Sequence, residues 1–124
     1  MKTKILIVDD EHDIVELLED FLLQKGYEIA KAYTQAEARA QLEAFKPAIV
    51  LLDIKLPDGD GIEFLKQIRP KYENLGIIMI TGLADKEIAL DALKNGASDY
   101  ITKPIDLNYL SNSVLAKVVT GFSF

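Results

Sequence analysis

The sequence predicts a single α/β domain over about residues 2–120, a doubly wound parallel sheet of five strands with five helices. Three observations predict it. Residues 5–8, 49–52 and 75–80 are almost wholly apolar, the mark of strands buried on both faces as in a parallel sheet. The stretches between the strands carry apolar residues at helical spacing. The strand-helix alternation recurs five times through short connections, with no repeat, low-complexity run or linker, which calls for helices on both faces of the sheet.

Each element has its own signal. Residues 5–8 (Ile-Leu-Ile-Val) form the first strand and end on Asp9, Asp10 and Glu11. Ile14, Leu17, Leu18, Phe21 and Leu22 then mark one face of a helix, and Gly26 stands where a left-handed residue closes it. Residues 27–33 make a weaker strand, whose Glu28 and Lys31 suit a sheet edge. Thr34 and Glu37 form a capping box for an Ala-rich helix that runs to about Phe45, and Pro47 prevents its continuation. The third strand, 49–52, ends on Asp53. Asp60 and Glu63 open a third helix with Ile62, Leu65 and Ile68 facing inward, and Pro70 stops it. The fourth strand ends on Thr81 and Gly82. Asp85 caps a fourth helix with Ile88, Ala89, Ala92 and Leu93 as its buried positions, closed by Asn95 and Gly96. A short strand over 98–102 ends at Lys103 and Pro104. Asp106 caps the last helix, with Leu107, Leu110, Val114 and Val118 inward. Residues 121–124 read as a frayed tail or the start of a linker.

Composition narrows the function classes. The 124 residues are 49% hydrophobic and 27% charged, enough to bury a core without metal or disulfide, and there is no cysteine. A net charge of −6 argues against direct nucleic-acid binding by this domain. No run approaches a membrane span and no export signal is visible, so a cytoplasmic location is expected.

The strand ends carry the chemistry. A parallel sheet gathers Asp9, Asp10, Asp53, Thr81 and Lys103 at one edge, where open α/β folds place their crevice. Three carboxylates held together raise one another's pKa unless a cation intervenes, and oxygen ligands with water describe a Mg²⁺ site. A carboxylate so placed can also attack phosphorus to give an aspartyl phosphate. Mg²⁺, Lys103 and the Thr81 hydroxyl, or nearby N–H groups, then answer the three phosphoryl oxygens.

Four motifs carry a resemblance: Ile-Leu-Ile-Val-Asp-Asp-Glu at 5–11, Leu-Leu-Asp-Ile-Lys-Leu-Pro-Asp-Gly-Asp-Gly at 51–61, Ile-Met-Ile-Thr-Gly at 78–82, and Gly-Ala-Ser-Asp-Tyr-Ile-Thr-Lys-Pro at 96–104. With them the chain resembles a response-regulator receiver domain of two-component signalling over essentially its whole length. The resemblance implies a flavodoxin-like strand order of 2-1-3-4-5. It implies that Asp53 is the phosphoacceptor, taking its phosphoryl group from a histidine kinase or phosphotransfer protein. Asp10 and Asp53 then bind Mg²⁺, Asp9 acts largely through water, and the Lys55 backbone carbonyl adds a ligand. Thr81 and Lys103 read the phosphate, Tyr100 is the switch aromatic that moves with Thr81, and the Lys103–Pro104 bond is cis. Such a domain catalyses its own phosphorylation and dephosphorylation and is no turnover enzyme for an outside substrate.

Simpler readings stand beside these. Asp9 or Asp10 can cap the first helix, Thr81 can be a plain strand residue, and Tyr100 can be packing. Gly82 counts for a site because it leaves the approach to the edge open. His12, the one histidine, reads as a solvated helix residue, Glu11 and Asp13 as partners of the helix dipole, and Asp58 and Asp60 as turn and cap residues. Lys55 and Leu83 lie two positions beyond Asp53 and Thr81, where side chains influence the access of water, and Leu83 has no group to orient one. Tyr109, Leu115 and Val119 fall off the buried stripe of the last helix. With the fourth helix they form either an exposed patch for a homodimer or effector, or one edge of a broad buried face. A Mg²⁺-dependent phosphatase with an Asp nucleophile commonly wants a second acid at the position of Lys55. A nucleotide- or flavin-binding module wants a Gly-rich loop after the first strand. A degenerate receiver, working through protein contacts alone, is the third rival.

Overall fold

A computed structural model describes residues 2–83 and 85–121. Its main sheet holds β1 (Lys4–Val8), β2 (Glu28–Ala32), β3 (Ile49–Leu52), β4 (Gly76–Thr81) and β5 (Asp99–Thr102), all parallel, in the order β2-β1-β3-β4-β5. The helices are α1 (His12–Gln24), α2 (Gln35–Ala44), α3 (Gly61–Ile68), α4 (Lys86–Lys94) and α5 (Leu107–Gly121). Gly121 therefore closes α5, and residues 122–124 lie outside the described residues.

The pleat divides the core in two, as strands apolar on both faces require. Leu6, Val8, Val50, Leu52, Ile77 and Met79 point to one face, where Leu42 of α2, Phe64 and Leu65 of α3 and Ala92 of α4 cover them. Ile5, Ile7, Ile49, Leu51, Ile78 and Ile80 point to the other, under Val15, Leu18 and Leu22 of α1 and Leu110 and Val114 of α5. Full burial of each such side chain contributes about 1.5–3 kcal/mol.

Several local signals act as read. Gly26 has φ 92° behind α1, and the Thr34 hydroxyl accepts the Glu37 amide at the start of α2. Asp60 caps α3, Asp85 caps α4, and Asp106 accepts the Tyr109 amide in α5. Two helices sit differently on the sheet. Leu17 is 46% exposed, because α1 meets the sheet through Val15, Leu18 and Leu22, which turns Leu17 to the outer side. In α4 only Ala92 is buried, and Leu93 is 44% exposed. That helix packs beside β5, the last strand of the sheet, so its outer flank has no strand beneath it.

Two ties join loops that the sequence leaves separate. After β3 a short ribbon pairs Lys55–Leu56 with Gly59–Asp60. At its turn the Asp58 carboxylate accepts the Gln35 amide at 2.8 Å and the Ala36 amide at 3.1 Å, while the Gln35 side chain donates to the Asp60 carbonyl. Asp58 thus completes the N-terminus of α2, a helix that precedes it in the chain. At the other end of the molecule the Arg69 guanidinium donates to the carbonyls of Tyr72, Glu73, Leu75 and Gly96, tying the end of α3 to the turn after α4. Among the described residues no helix is long and apolar enough to cross a membrane.

Candidate functional site

Strand register alone brings the chemistry together. Val8 stands beside Leu52 and Leu52 beside Met79, so Asp9 and Asp53 follow from neighbouring strand ends with Thr81 at the end of the next. Thr81 pairs with Thr102, which delivers Lys103 one residue later. The backbone holds these ends: the Asp53 amide donates to the Val8 carbonyl at 2.9 Å, and the Lys103 amide to the Thr81 carbonyl at 2.8 Å. Asp10, Glu11, Asp53, Lys55, Thr81, Gly82, Leu83 and Lys103 line a crevice of about 370 Å³ over this edge.

One carboxylate oxygen from each of Asp9, Asp10 and Asp53 lies within 4.8 Å of the others, Asp9 and Asp53 buried and Asp10 exposed. The Lys103 ammonium reaches into the group. Its Nζ is 2.6 Å from Glu11 Oε1, 2.9 Å from Asp9 Oδ2 and 3.3 Å from Asp53 Oδ2. Asp53 also accepts the Ile54 amide at 2.7 Å on its other oxygen, which leaves Oδ2 facing the lysine.

Burial pushes the Asp9 carboxyl up to about 6. The nearby Asp53 charge adds to that, and the bonds from Lys103 and the Glu11 amide only partly offset it. Burial alone would lower the Lys103 pKa. Its bonds to Asp9 and Glu11 outweigh that, so the ammonium is held above the ordinary lysine value. Four carboxylates, those of Asp9, Asp10, Glu11 and Asp53, gather around one lysine, so the pocket has more negative charge than Lys103 neutralises. Donor chemistry and spacing therefore fit a hard divalent cation.

Thr81 is buried, and its hydroxyl accepts the Leu83 amide at 3.3 Å. Half-buried Tyr100 donates its hydroxyl to the Leu83 carbonyl. Both residues thus hold one peptide segment, a contact through which Thr81 and Tyr100 can move together. The Lys103–Pro104 bond is cis.

Some residues depart from their sequence reading. Glu11 occupies the N-cap position of α1 but makes no side-chain cap there; its carboxylate is spent on Lys103, 92 residues away. Neither Asp9 nor Asp10 is that N-cap; the Asp9 carboxylate accepts the Glu11 amide instead. Gly82 lines the crevice, and a Cβ on it would meet nothing within 4 Å, so the backbone there tolerates a side chain without a clash. Gly61, unremarked beyond its motif, is far tighter: a Cβ there would lie 2.1 Å from the Asp53 carbonyl oxygen and 2.7 Å from Ile54 Cα. The signal available was the second glycine after Asp53 at a helix start, where backbones close in. Exposed His12 stacks on Tyr33 with ring centroids 4.2 Å apart. Away from the crevice, Leu90, Leu93, Tyr109, Leu115 and Val119 are 44–57% exposed on α4 and α5, which favours the patch over the broad buried face.

Comparison with known proteins accords with this geometry. The family model described as response regulator receiver domain matches residues 5–115. The chain is 36% identical over 110 residues to the transcriptional regulatory protein KdpE of Staphylococcus aureus (strain NCTC 8325 / PS 47), a match covering 89% of this chain and 47% of that protein. It therefore spans about half the length of that relative. Among solved structures, a two-component response regulator from Clostridium difficile superposes with a TM-score of 0.94 at 35% identity, over 98% of this chain and 100% of that one. A CheY-like response regulator receiver domain protein from Methanospirillum hungatei JF-1 gives 0.92 at 34%, over 98% and 97%.

Proposed function

The chain belongs to the response regulator receiver domain family, and from that premise we propose that it is a phosphorelay switch whose phosphoacceptor is Asp53. The observation that carries the reading is the gathering of Asp9, Asp10 and Asp53 within 4.8 Å, with the Lys103 ammonium 3.3 Å from Asp53 Oδ2. In the transfer, an Asp53 oxygen attacks the phosphorus of a phosphohistidine on a kinase or phosphotransfer protein. The new O–P bond forms as the N–P bond breaks, and the bonding pair leaves with the imidazole. Asp9, Asp10, Asp53 and the Lys55 carbonyl would hold Mg²⁺, which supplies charge neutralisation for the phosphoryl oxygens. Lys103 meets a second oxygen and the Thr81 hydroxyl a third, drawing Thr81 off the Leu83 amide and releasing Tyr100 to turn. Hydrolysis of the acyl phosphate resets the switch, so the domain acts once on itself per signal. The exposed face of α4 and α5 is the surface through which a second copy or an effector reads the state. The domain works in the cytoplasm and makes no direct contact with nucleic acid or membrane.

Incubation with acetyl phosphate and Mg²⁺, followed by intact mass, tests the reading. One phosphoryl group is expected on the wild type and none on Asp53→Asn; equal labelling of both proteins overturns it.

Lys55 and Leu83 line the crevice together, and neither offers an acceptor side chain to a water approaching the phosphoryl group. The phosphorylated form is therefore long-lived. Leu83→Asn is expected to shorten its half-life about three- to tenfold, a small part of what full orientation of a reactant can contribute. The measurement is loss of the mass-shifted species after the phosphodonor is removed.

A further inference from the structure

We infer that Glu11 is a latch for Lys103, a positioning residue that holds the ammonium at the crevice mouth and competes for it with a phosphoryl group on Asp53. The inference rests on the phosphoacceptor reading and adds to it a residue outside the acidic cluster.

Lys103 pairs with three carboxylates: Glu11 and Asp53 accept hydrogen bonds from it at 2.6 and 3.3 Å, and Asp9 Oδ2 lies 2.9 Å from its nitrogen. The shortest contact is to Glu11 and the longest to Asp53, the group the lysine is to serve. A phosphoryl group on Asp53 inherits the donor that Asp53 Oδ2 now accepts and competes with Asp9 and Glu11 for the rest of the ammonium, and those two carboxylates are not equivalent. Asp9 and Asp53 are 3% and 4% exposed and carry the negative charge a divalent cation would share. The Glu11 side chain is 56% exposed, so water can solvate its carboxylate once the lysine leaves. Glu11 is thus the partner released at least cost, and it holds the lysine whenever no phosphoryl group is present.

Its local structure agrees. Glu11 sits at the N-cap of α1 with φ −83° and ψ 103°, yet it makes no side-chain bond to the helix. Its amide is fixed by Asp9 Oδ1 at 2.9 Å, which orients the residue across the edge toward β5. A carboxylate that served the helix dipole alone would have no need to reach Lys103.

An ion pair this exposed is weak, so removing it should alter binding of a phosphoryl mimic by roughly two- to fivefold. Fluoroberyllate at saturating Mg²⁺ is the probe, with its affinity measured by calorimetry on the wild type, Glu11→Gln, Lys103→Met and the double variant. Glu11→Gln is expected to bind two- to fivefold more tightly than the wild type, and to make no difference in the Lys103→Met background. Equal tightening in both backgrounds would mean that Glu11 acts only through its charge, and would overturn the latch. So would no change in Glu11→Gln alone. Should Lys103→Met take up too little fluoroberyllate to measure, Mg²⁺ titration of the same four proteins decides: without Glu11 the lysine leans on Asp9 and Asp53, so Glu11→Gln weakens Mg²⁺ binding more with Lys103 than with Met. Equal weakening in both backgrounds overturns the latch. A wild type that takes up neither fluoroberyllate nor a phosphoryl group from acetyl phosphate overturns the phosphoacceptor reading itself, and the latch with it.

Discussion

Gly61→Ala is expected to lower the unfolding free energy by about 3 kcal/mol, the upper part of the range for overpacked sites, and Tm by about 10 °C. The added methyl would lie 2.1 Å from the Asp53 carbonyl oxygen and 2.7 Å from Ile54 Cα. Both are backbone atoms, so no side chain can rotate away. The Gly61 amide also donates to the Ile54 carbonyl at 2.6 Å, which closes the ribbon onto the start of α3. Relief of the clash has to move Asp53 itself, so phosphoryl uptake should fall together with stability. Gly82→Ala is the control, since its Cβ meets nothing within 4 Å. Thermal melts that put the two variants within 1 °C of each other would contradict the account of the loop.

The second large effect concerns charge. In buffer free of divalent cations, Asp9 is expected to cost the fold about 2–3 kcal/mol as pH rises from 4 through 6, with no further loss above that. Its folded value of about 6 lies above the ordinary 3.8, so in this window the native state binds more protons than the unfolded chain. Stability therefore falls as pH rises, the opposite of the trend for a salt-bridged acid whose pKa is depressed. Saturating Mg²⁺ at pH 7.5 is expected to raise Tm by several degrees, because a cation bound only by the native carboxylates stabilises by mass action. Urea unfolding from pH 4 to 8 checks both statements, with Asp9→Asn showing which part of the slope belongs to this carboxyl. A slope unchanged in Asp9→Asn would assign the effect to another group.

The sheet and most of the site were legible because both rest on short-range pattern. A strand apolar at every position has to be covered on both faces, and its first polar residue has to fall at the edge. Asp9, Asp53 and Thr81 followed from that rule. What escaped depends on which distant element arrives nearby. Glu11 looks like a helix-dipole acid until β5 brings Lys103 within 2.6 Å of it. Asp58 reads as a turn residue of its own loop, and only the tertiary fold shows it capping α2. Arg69 carries no motif, yet four carbonyls from two segments converge on it. The exposure of Leu93 could not be read from helical spacing either, since it depends on α4 lying at the rim of the sheet.

The bonds from Asp58 to α2 also set a direction for motion. The segment just past Asp53 is clamped by two amides and by the Gln35 side chain, all on the β2 side of the crevice. Across the crevice, Thr81 and Tyr100 grip one peptide segment by two hydrogen bonds. If Asp53 takes a phosphoryl group as proposed, the new anion competes for the Thr81 hydroxyl, so that one bank of the pocket would act as a stator and the other as the moving part. Work done at the carboxylate would then be rectified, leaving α2 still and displacing the flank that ends in α4.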